Sequence, residues 1–425
     1  MLEELKGKRL LVLGGTAWAD IIFSFAKENN IHLITTGKNP SKLFDEYYYV
    51  DSIDSKAMKN LIKEKKIDGV YIGSNERVIR QAIQYLPELD LPCYCTLQQW
   101  DTLMNKLKFK KLCRQFDLPV VETYEWTPTN KCKINYPVIV KPTNGCASAG
   151  IKICYSETEL IEGYRLAYEN SASHEVLIEQ LVNNSGMDVF FQITDYEIEF
   201  CGLGDKYSVQ LADGAGSVAG ARILPSVFTD EFRFRFEKKI KAMFSSINLK
   251  HGLIWMEVFH DGDDYYFNEV GYRLNGSLTI ISVDYFCGIN AVAADMYFAL
   301  TGKSKAKGFN SLILKKYNKK KKKICEYWIA CKSGIISKID GLNKLNLHPN
   351  ILAIFPKYSI GSLIPQTNGF AQNFCVIHFM YDTNLELNEI ISFIKSNIRV
   401  IDENGCDMII HKSDQFTKKL FIDNK

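Results

Sequence analysis

Apolar and polar segments alternate along the first 95 residues in the order expected of strands and helices. Apolar runs at 9–13, 31–36 and 69–74 predict buried strands. Amphipathic patterns at 18–29 and 55–65 predict helices between them. Because strands and helices alternate, this segment is expected to form a parallel sheet with crossover helices.

Two strand ends in this segment are candidate ligand sites. The glycine pair at 14–15 ends the first strand, but Thr16 and Ala19 occupy the other positions of a G-x-G-x-x-G fingerprint, so a nicotinamide cofactor is not indicated. The segment 73–76 ends another strand, where open α/β sheets bind ligands. A helix start capped by Ser74 explains that segment equally well.

The stretch 251–277 predicts a β-hairpin with an Asp-Gly turn at Gly262. Such a turn places Glu257 roughly opposite Glu269 on one face of the hairpin, and Arg273 would project from the same face. Directly opposed like charges are destabilising, so a cation is expected between them. Ligands that offer only oxygen suit Mg²⁺, although a solvated strand face with scattered charges is the plainer interpretation.

Two lysines before the hairpin are candidate anion ligands. Residues 98–117 predict one amphipathic helix, on which Lys106 taken alone reads as a solvated charge. Lys141 ends an apolar strand and faces a loop of small residues, 143–150, whose backbone N–H groups can approach an anion. A glycine-bearing hairpin turn is the alternative for that loop. A further strand is predicted at 175–182.

Composition adds limits but no chemistry. The 425 residues allow roughly three domains, and the 46% hydrophobic and 24% charged content is that of an ordinary globular protein. The net charge of +3 argues neither for nor against a nucleic-acid partner. The lysine run at 315–323 lacks an aromatic stripe or amphipathic helix, which favours a solvated loop or edge over a nucleic-acid or membrane partner. Twelve scattered cysteines, with no signal-peptide pattern or apolar span, are typical of reduced thiols in a cytoplasmic enzyme.

The ordered set of motifs resembles the ATP-grasp superfamily, in the branch of L-amino-acid ligases, carbamoyl-phosphate synthases and biotin carboxylases. The motifs, in chain order, are Lys106, Lys141, the small-residue loop, Glu179-Gln-Leu-Val182, Gly186-x-Asp188, Glu257, Glu269 and Arg273. The resemblance covers essentially the whole chain. It implies mixed α/β and α+β architecture: an N-terminal parallel-sheet α/β domain (1–95), an ATP-grasp domain of two α+β subdomains (96–308) with a lid at about 120–182, and a C-terminal α+β domain (309–425).

The resemblance also implies roles in nucleotide binding. Lys106 and Lys141 would contact the phosphates of ATP, and the loop around Ser148 would close over them. The adenine hinge would consist, largely through backbone groups, of Glu179, Gln180, Leu181 and Val182. Asp188 stands where many members carry a ribose-binding glutamate.

The metal and catalytic positions match the superfamily with one departure. Glu257 and Glu269 match the ligands of Mg²⁺, for which Mn²⁺ could substitute. The usual run Glu-x-Asn-x-Arg has Gly271 in place of asparagine, and a second metal would then need Asn275 or water. Arg273 is retained, and its guanidinium would stabilise charge on the transferred phosphoryl group.

Arg222 lies before the hairpin and has two interpretations. It could hold a substrate carboxylate, or it could be an ordinary surface arginine. The C-terminal domain would help to shape the substrate site or a homodimer.

The expected function is that of an ATP-dependent carboxylate–amine ligase that acts on small molecules. It would form an amide or peptide bond through an acyl phosphate and release ADP and phosphate. One alternative keeps the fold but changes the acceptor, to bicarbonate or a phosphoribosylamine. Another is a nucleotide-binding protein without turnover, an idea that Gly271 motivates.

Overall fold

The computed structural model describes most of the chain, namely residues 2–13, 18–37, 43–143, 150–171, 173–182, 185–210, 217–276, 278–312, 322–366 and 370–410. Several predicted features lie outside these ranges: the glycine pair at 14–15, Ser148, and residues 315–321 of the lysine run.

The N-terminal domain is a parallel sheet with helices between its strands, as the sequence predicts. Its strands are β1 (Arg9–Val12), β2 (His32–Thr36), β3 (Glu46–Tyr48) and β4 (Gly69–Tyr71), in the spatial order β3-β2-β1-β4. Its helices are α1 (Ala19–Asn29), α2 (Ser55–Glu64) and α3 (Glu76–Tyr85). Strand β3 was not predicted from the sequence, because its three residues are all half-buried and show no alternation of apolar and polar positions.

Helix α3 begins after Asn75, and the prediction that Ser74 caps it is wrong. Oδ1 of Asn75 accepts hydrogen bonds from the backbone N–H groups of Arg77 (3.1 Å) and Val78 (3.3 Å). Asparagine caps helices at least as well as serine, and the backbone is extended at Asn75. Glu76 is therefore the first helical residue at the carboxyl edge of the N-terminal sheet.

The single helix predicted at 98–117 is two helices, α4 (Leu97–Met104) and α5 (Lys106–Gln115). Asn105 separates them: its backbone is extended, and its side chain accepts from the N–H groups of Leu107 (3.0 Å) and Lys108 (3.1 Å). Asparagine competes for backbone groups in this way, which the apolar period alone does not reveal. The break makes Lys106 the first residue of α5.

A small antiparallel sheet follows, in the order β6-β5-β7, with one helix packed on it. Its elements are β5 (Val138–Pro142), β6 (Lys152–Cys154), α6 (Glu157–Glu169) and β7 (Val176–Gln180). This sheet places Lys141 and Glu179 on neighbouring strands.

The remaining elements build an eight-stranded antiparallel sheet and a three-stranded sheet. They are β8 (Ser185–Thr194), β9 (Glu197–Gln210), β10 (Ser217–Leu224), α7 (Thr229–Phe232), α8 (Lys238–Ser246), β11 (His251–His260), β12 (Tyr265–Gly271), α9 (Ile280–Cys287), α10 (Ala291–Thr301), β13 (Lys323–Ala330), β14 (Gly334–Asp340), α11 (Leu342–Asn346), β15 (Ile351–Pro356), β16 (Leu363–Ile364), β17 (Asn373–Tyr381), α12 (Asn384–Asn397) and β18 (Arg399–Asp402). The large sheet has the order β12-β11-β8-β9-β10-β13-β17-β15, and the small one β16-β14-β18.

The large sheet continues across the domain boundary predicted near residue 308. Strand β10 pairs with β13, so strands on both sides of residue 308 form one hydrogen-bonded sheet. The predicted boundaries at 95 and 308 stay predictions. Within the described ranges, none of the helices has the length and apolar composition that a bilayer span requires.

Helix α10 joins the N-terminal sheet to the large sheet. Its buried residues, among them Met296 and Ala299, share one apolar core with Leu10 of β1 and Leu253 of β11. The closest approach is at Gly69 of β4, where an added Cβ would lie 2.2 Å from the carbonyl oxygen of Ala299. Only glycine permits this packing distance, because the opposing atom is backbone and cannot turn aside.

We expect Gly69→Ala to lower the free energy of unfolding by about 1–3 kcal/mol, because the methyl group must push α10 away from β4. Urea denaturation followed by circular dichroism measures the change. Gly163→Ala is the matched control, since the same methyl would meet side-chain atoms and no backbone, the nearest being Sγ of Cys154 at 3.0 Å, and alanine favours helix α6. Equal stability of the Gly69→Ala and parent proteins would contradict the close packing.

Candidate active site

The hairpin β11–β12 carries the two carboxylates that the sequence places together. Glu257 pairs directly with Glu269, so both side chains project from one face of the large sheet. The register then shifts: Val258 pairs with Phe267, and Asn268 is left as the extra residue of a β-bulge. The predicted opposition of the glutamates is confirmed, and the bulge adds an amide beside them.

Glu257 is held by a lysine and by this amide. Nζ of Lys206 forms an ion pair with Glu257, and Nδ2 of Asn268 donates to Oε2 of Glu257 at 2.5 Å. Burial by itself would raise the pKa of Glu257, but the Lys206 ammonium outweighs burial and lowers that pKa to about 2. Glu257 is therefore ionised at neutral pH, as a metal ligand must be.

Both lysines that were predicted to contact phosphates lie beside this carboxylate pair. Nζ of Lys106 is 3.1 Å from Oε2 of Glu269. Nζ of Lys141 donates to Oδ1 of Asn268 at 2.9 Å, so the amide links Lys141 to Glu257. Burial opposes the charge on Lys106, but the nearby glutamates raise its pKa overall. Together with Lys206, the structure thus gathers three cations around the two anions.

Behind Lys141 lies a fully buried cluster of one glutamate and two lysines. The side chain of Glu179 is 1% exposed and forms ion pairs with both Lys110 and Lys141. Burial would raise the pKa of Glu179, yet the two ammonium groups lower it overall. Burial lowers the pKa of Lys110 to about 8, despite the attraction of Glu179. The Glu179 side chain therefore holds Lys141 in place.

The predicted adenine hinge lies at the end of β7. The backbone N–H groups of Gln180 and Leu181 donate to the carbonyl oxygens of Glu122 and Pro137, each at 3.0 Å. Leu181 and Val182 directly follow β7 and are half-buried. The N–H groups of Gln180 and Leu181 are thus already used within the protein, and the hinge role of residues 179–182 stays a prediction.

Arg222 crosses the sheet to reach Asp188. Its guanidinium forms ion pairs with Asp188 and with Glu326 (2.6 Å), and it donates to Oγ1 of Thr279 at 2.7 Å. Gly204 pairs with Asp188, and a Cβ there would lie 2.9 Å from Cγ of Leu224 and 3.0 Å from the aliphatic stem of Arg222, so glycine leaves room for both side chains. Arg222 is only 5% exposed, so its interpretation as a surface arginine is wrong.

Asp188 is likewise buried, with 3% of its surface exposed, and it pairs with Glu257 on the neighbouring strand. Its carboxylate accepts from Arg222 in this arrangement. The roles of Asp188 at the ribose and of Arg222 at a substrate carboxylate stay predictions.

Lys206 reaches Glu257, as Arg222 reaches Asp188, by passing over a glycine on the neighbouring strand. It pairs with Gly186 on β8, and a Cβ at Gly186 would lie 3.0 Å from Cε of Lys206. The lysine side chain therefore passes over the glycine toward β11. Gly186 and Gly204 thus leave the space in which Lys206 and Arg222, respectively, cross the sheet.

Arg273 lies just past the hairpin and contacts the N-terminal domain. Its Nη2 and Nε atoms donate to Oε1 of Glu76 at 2.6 and 3.1 Å. Its guanidinium carbon is 5.5 Å from the ring centroid of Trp255, within the range of a cation–π contact. The segment 73–76, predicted as a ligand site or a helix start, therefore begins a helix and supplies the carboxylate that fixes Arg273.

Sequence reasoning missed three residues of the site. Lys110 follows Lys106 by four positions and so lies on the same helical face, a spacing that could have revealed it. Asn268 would point away from Glu269 on a regular strand, and only the bulge brings it to the site. Lys206 meets Glu257 only through the register of β8 and β9, for which the sequence carries no signal.

The carboxylate pair fits a hard divalent cation. The described residues contain no cluster of three or more histidine, cysteine, aspartate or glutamate side chains suited to a metal. Glu257 and Glu269 alone provide two oxygen ligands. Mg²⁺ is commonly bound by one or two carboxylates together with substrate phosphates and water, so two are sufficient when a phosphorylated ligand supplies the rest.

Comparison with known proteins agrees with this geometry. The family model "D-ala D-ala ligase C-terminus" matches residues 97–202. The carbamoyl phosphate synthase large chain of Clostridium acetobutylicum is 22% identical over 300 residues, which are 68% of this chain and 27% of the relative. The chain therefore spans about a quarter of that relative's length.

Two solved structures share the fold over nearly the whole chain. The L-amino acid ligase from Bacillus licheniformis has a TM-score of 0.72 at 18% identity, covering 94% of this chain and 99% of that one. The biotin carboxylase domain of Hydrogenobacter thermophilus 2-oxoglutarate carboxylase, solved with MgADP, ADP and bicarbonate, has a TM-score of 0.71 at 17% identity, covering 92% and 91%. Residues 97–202 thus match a ligase family model, and the chain as a whole has the fold of these two structures, in agreement with the sequence resemblance to the ATP-grasp superfamily.

Proposed function

We propose that this chain is an ATP-dependent carboxylate–amine ligase that forms an amide or peptide bond through an acyl phosphate. The observation that carries the proposal is the pair Glu257 and Glu269 with Lys106, Lys141 and Arg273 close by. An enzyme that moves a phosphoryl group needs ligands for a metal and fixed cations for the phosphates, and this group of residues supplies both.

The lysines have an arrangement suited to a nucleotide. The ammonium groups of Lys106 and Lys141 each contact a carboxylate or amide of the site. A triphosphate that binds there would find both ammonium groups in place and would compete with these partners for them. We assign Lys106 and Lys141 to the phosphates of ATP, and Ser148 to the same ligand. The adenine and ribose would lie toward residues 179–182 and Asp188.

Glu257 and Glu269 would hold Mg²⁺, or Mn²⁺ in its place. The bound metal would neutralise charge on the phosphates and polarise the transferred phosphoryl group. The biotin carboxylase domain solved with MgADP supports this assignment by its shared fold.

The chemistry follows from the poor reactivity of a carboxylate toward an amine. A carboxylate oxygen of the substrate attacks the γ-phosphorus of ATP, the bond to the β-phosphate oxygen breaks, and ADP leaves. The amine then attacks the carbonyl carbon of the acyl phosphate, loses a proton, and expels inorganic phosphate. Arg273, fixed by Glu76, would stabilise the charge on the transferred group.

A second candidate keeps the first step and changes the acid to bicarbonate. It is favoured by the similarity to a carbamoyl phosphate synthase and to a biotin carboxylase domain that binds bicarbonate. In either case the partners would be small molecules, the enzyme would act in the cytoplasm, and a homodimer is proposed as well.

We expect turnover to yield ADP and inorganic phosphate, and to yield a hydroxamate when hydroxylamine replaces the amine. The hydroxamate forms because hydroxylamine traps the acyl phosphate. A screen of amino-acid pairs and of bicarbonate, with ATP and Mg²⁺, identifies the acid by ADP release. AMP and pyrophosphate as products would show adenylate chemistry and overturn the mechanism. Nucleotide binding without turnover on any acid would favour a non-catalytic protein.

Glu269→Gln is expected to lower kcat by about 100-fold or more while the protein stays folded, because a neutral amide holds the metal poorly. Coupled assay of ADP release measures the loss. Glu197→Gln is the matched control, since Glu197 is exposed at the start of β9, outside the site. Near-normal turnover of Glu269→Gln would contradict the assignment of Glu269 as a metal ligand.

Lys141→Met is expected to weaken ATP binding by about 10- to 100-fold, as befits the loss of a charged contact to phosphate. Isothermal titration calorimetry gives the affinity, and circular dichroism checks the fold. Lys108→Met is the control, because Lys108 is exposed on α5, whereas Lys110 on the same helix is buried against Glu179. Equal affinities in the two variants would refute the phosphate contact.

A further inference from the structure

The indole of Trp255 occupies the space that a side chain at position 271 would need. Trp255 is the cross-strand partner of Gly271. A Cβ added to Gly271 would lie 2.3 Å from Cε2 and Nε1 of the indole, closer than any real contact. These atoms belong to the body of the indole and not to the end of a flexible chain, so a side chain at position 271 requires the whole ring to move. Gly271 is therefore glycine for a steric reason, and the site has no ligand at this position.

Neither asparagine of this region replaces that ligand. Both ends of the Asn275 side chain are bound to Thr279: Nδ2 donates to Oγ1 at 2.9 Å, and Oδ1 accepts from the backbone N–H at 3.2 Å. Asn275 is only 5% exposed. Asn268 is engaged on the other side of the pair, between Lys141 and Glu257. Both amides are therefore engaged within the protein, and the described hairpin offers a metal the carboxylates of Glu257 and Glu269.

Trp255 also supports a permanent positive charge. The guanidinium of Arg273 lies over its ring at 5.5 Å, and Glu76 fixes that guanidinium from the other domain at 2.6 Å. A guanidinium stays charged at every physiological pH, and the face of an indole attracts cations more strongly than other aromatic faces. The indole therefore excludes a metal ligand and, on the same sheet face, holds an organic cation.

We propose that this site binds one divalent cation with each nucleotide, and that Arg273, positioned on Trp255, supplies the positive charge that a second cation would supply. The inference rests on the proposed function, because it requires a nucleotide at Glu257 and Glu269. It assigns Trp255 as a positioning residue that acts through Arg273.

The first test counts metal ions without turnover. Electron paramagnetic resonance measures free Mn²⁺ in titrations of the full-length protein saturated with a non-hydrolysable ATP analogue. We expect one bound Mn²⁺ per bound nucleotide in the parent protein. We expect two in the double variant Trp255→Ala/Gly271→Asn, where the amide gains the space of the indole, and one in Trp255→Ala alone.

Two Mn²⁺ ions per nucleotide in the parent protein would overturn this inference and leave the proposed function standing. A double variant that binds nucleotide but only one Mn²⁺ would overturn the role of the indole in excluding the second ion. Failure of the parent protein to bind the analogue at all would overturn the proposed function, and this inference with it.

The second test separates positioning from structure. Trp255→Phe keeps an aromatic face and should retain kcat within a few-fold, whereas Trp255→Leu should lower kcat by about 3- to 30-fold, the equivalent of a lost cation–π contact. The affinity for the ATP analogue should be unchanged in both variants. Equal kcat in the two variants, or a loss confined to nucleotide affinity, would overturn the assignment of Trp255 to Arg273.

Discussion

Two carboxylates that face each other across neighbouring strands repel, and the site depends on how the protein compensates that repulsion. Glu257 and Glu269 are directly paired, and burial strengthens the interaction between their charges. Cations reach the pair from separate elements: Lys106 from the start of α5 and Lys206 from β9. The compensation comes from parts of the chain far apart in sequence, so it is present only when these elements have packed together.

The same requirement explains the glycines of the large sheet. A lysine or arginine stem that must cross a neighbouring strand needs a position without a side chain, and Gly186 and Gly204 provide these positions. Lys206 and Arg222 then meet Glu257 and Asp188 in a row of alternating charge. Breaking one member of such a buried row leaves an uncompensated charge, which costs more than the pair contributes.

The sequence predicted what depends on local pattern and on motif order. The parallel sheet, the hairpin turn and the opposition of Glu257 to Glu269 follow from alternation and from an Asp-Gly turn, and all are observed. What failed depends on single residues or on register. One asparagine splits the helix at residue 105, and one extra residue turns Asn268 toward the site. Contacts such as Lys206 with Glu257 arise from strand register, which a linear pattern does not encode.

Because Glu76 fixes Arg273, the position of the N-terminal domain determines where this guanidinium lies in the site. Glu76 begins helix α3, so a rotation of that helix relative to the large sheet would displace the guanidinium of Arg273 beside the carboxylate pair. A displacement of about 1 Å is enough to lower a rate substantially when a reacting group must be aligned. The close packing of α10 against β4 limits how far the N-terminal sheet and its helices can move relative to the large sheet. Substitutions in that packing, although remote from the hairpin, would therefore lower kcat by misaligning Arg273 and would leave substrate affinity unchanged.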